Sequence, residues 1–117
     1  MLFGRAELTV ADREAFKGIW DAYRSSYEAV CKKMVNRYNQ WREEYAATST
    51  NTGIKEYKAT MRALRAERWT LSKRAIEQLK GVAPAPFMAA NERKMDDFIA
   101  TVDQAERNGE ADSYPPW

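Results

Sequence analysis

The chain has 117 residues, 44% hydrophobic and 31% charged, with 5 glycines, 4 prolines, one cysteine, no histidine and a formal charge of +2. That balance predicts one folded domain rich in helix formers, and excludes both a disordered polar tail and a chain of membrane spans. Without histidine or a second cysteine, the commonest general base, most transition-metal sites and an intrachain disulfide are ruled out.

Residues 1–8 read as a short lead-in whose Leu2, Phe3 and Leu8 can tuck against the rest of the fold. The opening Met1-Leu2-Phe3-Gly4-Arg5 has no secretory apolar core, and Glu7, Asp12 and Glu14 follow where an organellar presequence is poor in acids. Thr9 and Asp12 form an approximate capping box that opens a helix over about 9–47. Its apolar stripe is Phe16, Trp20, Tyr23, Tyr27, Cys31, Met34, Tyr38, Trp41 and Tyr45, all at helical spacing. Gly18 inside it predicts a close helix crossing, and Cys31 reads as a small buried hydrophobe in a reducing compartment.

Thr48-Ser49-Thr50-Asn51-Thr52-Gly53 is a turn cluster of the right length to join two antiparallel helices. A second helix over about 54–80 repeats Ile54, Tyr57, Met61, Leu64, Leu71, Ala75 and Leu79. Arg68 interrupts that stripe, either as a polar insertion that sets the register or, the favoured reading, as a side chain that packs its stem while its head reaches solvent. Gly81 is the expected stop, and Pro84 and Pro86 make a stiff corner.

A third helix over about 86–108 carries Met88, Met95, Phe98, Ile99, Val102 and Ala105 on one face and ends at Asn108-Gly109. The domain therefore spans 1–108, and 109–117 is an extended C-terminal tail. The fold class is all-α: a long antiparallel hairpin with a shorter third helix at its base. At 1.5 Å per residue the three helices run about 60, about 40 and about 33 Å, so the third covers only the base, near residues 12–30 and 65–80.

The tip then keeps Tyr38, Trp41, Tyr45 and Tyr57 with only a hairpin mate to cover them, which points to a protein partner or self-association. Tyr114 and Trp117, flanking Pro115 and Pro116, are a further partner-binding candidate, since prolines pre-extend the chain.

Charge is segregated: residues 1–50 carry 8 basic and 7 acidic residues, 51–82 carry 8 and 3, and 83–117 carry 3 and 7. Lys55, Lys58, Arg62, Arg65, Trp69 and Lys73 share one side of the second helix, a pattern suited to phosphates with a ring to stack on a base. The alternative is a solvated face partly neutralised by the acidic third helix, with Arg65 and Trp69 forming a cation–π pair. Glycine-rich phosphate loops, nucleophile elbows, calcium-loop spacings and the Glu-x-x-His metal motif are missing from the sequence. Leu8-Thr9-Val10-Ala11-Asp12-Arg13-Glu14-Ala15-Phe16, followed by Tyr23 and Tyr27, resembles a helical region of phage small terminase subunits. Those proteins recognise DNA for packaging as oligomers. The family's glycine- and proline-containing connector is missing after that helix, so the resemblance assigns no residue a role.

The expectation is a non-enzymatic scaffold or accessory subunit of a larger assembly, with no cofactor, no metal, no small-molecule substrate and no membrane span. It would be intracellular, with organellar and virion origins left open. The alternative is a helical nucleic-acid-binding protein of the DNA-packaging type.

Overall fold

The computed structural model describes residues 8–50 and 53–109. Three helices follow in chain order: α1 (Val10–Thr48), α2 (Ile54–Val82) and α3 (Ala85–Arg107). Among the described residues there is no strand. No described helix is long and apolar enough to cross a membrane.

Each boundary has a local cause. The Thr9 hydroxyl accepts from the Asp12 amide and the Asp12 carboxylate accepts from the Thr9 amide, both at 3.1 Å, completing the expected capping box. α1 ends where Ser49 turns left-handed at φ 54 and donates its amide to the Tyr45 carbonyl. Gly53 opens α2 at φ 84, a conformation in which a side chain is strained. The expected stop at Gly81 is corrected: α2 runs through it to Val82. Proline, not glycine, ends this helix, because Pro84 forces Ala83 out of the helical region to ψ 135. Asn108 and Gly109, the latter at φ 68, close α3.

α1 and α2 pack antiparallel, with Tyr23 meeting Ser72, Tyr27 meeting Arg68 and Trp41 meeting Tyr57. α3 runs back along α2, fixed by ion pairs Lys80–Asp96 and Lys73–Asp103 and by the Thr70 hydroxyl donating to Glu106. It meets α1 at the base, where the Phe16 and Phe87 rings contact edge to face at 4.9 Å. The core lies between α2 and α3: Trp69, Ile76, Phe87, Met95, Phe98, Val102 and Ala105, with Leu8, Phe16 and Leu79 against it. Within it the buried Asn91 amide donates to the Phe87 carbonyl, and Ser72 donates to the Arg68 carbonyl.

The 39 residues of α1 give a rod of about 58 Å, matching the 58 Å long axis of the molecule. The radius of gyration is 18.0 Å, against roughly 13 Å for a compact domain near this length. α3 ends beside Thr70, so the tip half of the hairpin is a two-helix arm.

Two expectations about α1 and α2 are overturned. Gly18 is exposed, and a Cβ built there meets nothing within 4 Å, so no helix crosses at that point. Gly18→Ala should therefore stabilise the protein by about 0.5–1 kcal/mol through helix propensity alone, read as a raised midpoint in urea. Arg68 is 4% exposed: its head does not reach solvent but lies 5.9 Å from the Tyr27 ring centroid, with Nη1 donating to the Tyr27 hydroxyl at 3.5 Å.

Candidate docking surface at the arm tip

Beyond the reach of α3, the seam of the arm joins buried Val30 and Met61 and half-buried Leu64 to a cluster of rings and arginines nearer the tip. Trp41 stacks on Tyr57 of the facing helix at 5.1 Å and 22°, and on Tyr45 one turn further along α1 at 5.7 Å and 27°. Tyr38 tilts against the same indole at 6.4 Å, and the Arg37 guanidinium lies 5.6 Å from the Tyr57 centroid. The four rings expected at the tip are thus one cluster. They arise because Tyr38, Trp41 and Tyr45 sit three and four apart on α1, where side chains meet on one face.

The cluster is only half enclosed. Tyr38 and Tyr45 each keep 44% of their surface in solvent. Trp41 Nε1 and Arg37 Nη1 are shielded from water with no hydrogen-bond partner among the described residues. The exposed rim continues down α1 through Val35 and Trp20, each 58% exposed.

α2 faces the edge of the α1 stripe that carries half-buried Ile19, buried Val30 and half-buried Arg37. The residues after Ile19 and Arg37, Trp20 and Tyr38, are exposed. Cys31 is a free, half-buried thiol.

The basic side of α2 divides in two. Lys55, Lys58 and Arg62 are exposed and Arg65 is half-buried, all on the arm. Trp69 is 5% exposed within the core, so the ring expected to stack on a base has no open face. Lys73 is paired with Asp103, and that hydrogen bond holds its ammonium above the ordinary lysine value. Lys80 is raised in the same way by its hydrogen bond to Asp96. Tyr114 and Trp117 lie outside the described residues.

At the base, Tyr23 and Ser72 share a hydrogen bond at 2.8 Å; burial pushes the Tyr23 phenol up, with the Ser72 bond working against it. An open groove between α2 and α3 is lined by Glu77, Lys80, Asp96, Ile99, Ala100 and Asp103. Lys80 and Asp96 are engaged with each other, and Asp103 with Lys73. Among the described residues no three His, Cys, Asp or Glu side chains are placed to hold a metal ion.

What the tip can offer is flat aromatic surface, suited to stacking and apolar burial against a partner. Comparison with protein-family models, with curated proteins and with solved structures returns no match for this chain.

Proposed function

We propose that this chain is a non-catalytic helical scaffold or accessory subunit that docks onto a protein, a foreign partner or a second copy, through the aromatic tip of its arm. The observation that carries the reading is the half-enclosed stack of Tyr38, Trp41, Tyr45 and Tyr57, placed where α3 does not reach. Tyrosine and tryptophan are among the residue types enriched at interface hot spots, and here they are clustered and half exposed. The nucleic-acid reading ranks second, since Trp69 and Lys73 are engaged inside the protein and leave it Lys55, Lys58, Arg62 and Arg65.

A photo-crosslinking amino acid at Tyr45, introduced in the cells that make the protein, tests the reading. A protein adduct is expected there, lost on Trp41→Ala and not reproduced from exposed Gln78 at the base. No adduct at Tyr45, or equal adducts at both positions, would overturn the docking role. In parallel, tight oligonucleotide binding that falls steeply with salt would move the second reading ahead.

A further inference from the structure

α1 carries two stripes in steps of three and four, and α2 covers only one. Beyond Asp12, each residue of α1 that is buried or half-buried lies on the stripe that runs from Phe16 through Val30 to Trp41, with the single exception of Cys31. Tyr23, Tyr27 and Trp41 of that stripe meet α2. Cys31 belongs to a second stripe, about 100° round the helix at 3.6 residues per turn, which leads from Asp21 to Tyr45 over about 36 Å. Its remaining residues are exposed. Spacing of this kind is how one helix meets another along a continuous seam.

The second stripe changes character at its middle. Asp21, Arg24 and Glu28 fill its first half, and Cys31, Val35, Tyr38, Arg42 and Tyr45 its second. Side by side in parallel, two copies would set acid against acid and Arg42 against Arg42. Reversed, they complement each other. A two-fold axis level with Lys33 brings Cys31 opposite the second copy's Val35, Tyr38 opposite its Glu28 and Tyr45 opposite its Asp21, so each phenol meets a carboxylate that can accept from it. Arg42 falls between the same two acids. It comes level with the second copy's Arg24, whose guanidinium is already tied to Glu28 of its own helix at 2.9 Å. Covering a half-exposed ring removes roughly 100 Å² from water, so Trp20, Tyr38 and Tyr45 with Val35 supply most of the apolar part of a standard interface, about 800 Å² per partner and a little over half apolar.

We propose that two copies of this chain pair antiparallel along the second stripe of α1, with Tyr38, Arg42 and Tyr45 of each seated on Glu28 and Asp21 of the other. The inference rests on the docking role proposed above and commits it to a second copy as the occupant.

Analytical ultracentrifugation of the purified full chain reads the pairing. The wild type is expected to sediment as a dimer at tens of micromolar. Arg42→Glu in one preparation, and Asp21→Lys with Glu28→Lys in another, should each weaken the dimer about a hundredfold or more, because like charges then face each other across the seam. Mixing the two preparations should restore a dimer holding one copy of each, since every charge then meets its opposite. All three positions are exposed, and recovery on mixing separates lost pairing from lost folding. Dilution separates the copies, so amide protection over 33–45 should rise with protein concentration. A monomeric wild type, a dimer indifferent to both sets of substitutions, a mixture that stays monomeric, or protection independent of concentration would each overturn the pairing. Its failure is distinguishable from failure of the docking role: a monomer in the centrifuge together with a Tyr45 adduct to a different protein in cells ends the pairing and leaves docking in place.

Discussion

Trp69→Ala is expected to cost about 3–5 kcal/mol of stability, the usual range for emptying a buried aromatic site. Trp69 is 5% exposed and belongs to the cluster that joins α2 to α3, with Ile76, Met95, Phe98 and Val102. Met95 and Val102 are fully enclosed, so little around the indole can collapse into the space it leaves. Domains of this size are stable by roughly 5–15 kcal/mol in total, so the loss approaches the whole margin at its lower end. Urea unfolding followed by far-ultraviolet circular dichroism measures it. A cost under about 1 kcal/mol, the level of a surface substitution, would mean that the ring is not buried. The result also bears on nucleic acid: reduced oligonucleotide binding by this variant would report a damaged fold rather than a lost base contact.

Arg68→Ala should cost about 2–5 kcal/mol, comparable with truncating a long buried apolar side chain. The guanidinium donates to the Tyr27 hydroxyl across the hairpin and lies near that ring, while its stem fills a seam position that is 4% exposed. Alanine removes the stem and leaves the hydroxyl short of a donor. Arg68→Met keeps the volume and removes the cost of enclosing a charge, and buried charged groups replaced in this way are often neutral or gain stability. The pair of variants therefore separates packing from charge, with the methionine form expected at or above wild type. If methionine proved as damaging as alanine, the charge itself would hold the hairpin together. Arg37 over Tyr57 repeats the arrangement near the tip with the helices' roles exchanged.

The large features of this fold were legible because they follow from strong local rules. The capping box at Thr9, the turn before Gly53, the proline corner and the Asn108-Gly109 stop put the helix ends within about two residues of their positions. Three of the tip rings are also legible as a group, because three- and four-residue spacing puts Tyr38, Trp41 and Tyr45 on one face of α1, and the short turn returns Tyr57 of α2 to Trp41. Rotation of the helices about their axes was less legible. The stripe on α1 is wide, and size favoured Trp20 and Tyr38 over Ile19 and Arg37, yet α2 docks on the edge carrying the latter pair. The seven-residue spacing Phe16-Tyr23-Val30-Arg37 was the available signal. Arg68 and Trp69 depart from the sequence reading because α2 is covered on two sides: α1 takes Arg68 against Tyr27, and α3 packs on the side of α2 that carries the bases. That turns Trp69 inward and leaves the fate of each lysine to the acid opposite it, a tertiary choice that α2's own sequence does not encode.

A braced base and an unbraced arm are therefore one consequence of unequal helix lengths, and the proposed docking role follows from where the brace stops. Residue-resolved hydrogen exchange on the isolated protein tests this division most directly. Amides of α2 over 69–80 and of α3 over 87–105 should open only with global unfolding. Those of α1 over 33–47 and α2 over 54–63 should exchange through local opening at much lower free energy. Equal protection along the whole of α1, from the base through Trp41 to Tyr45, would show that the arm is as well supported as the base and would contradict the account.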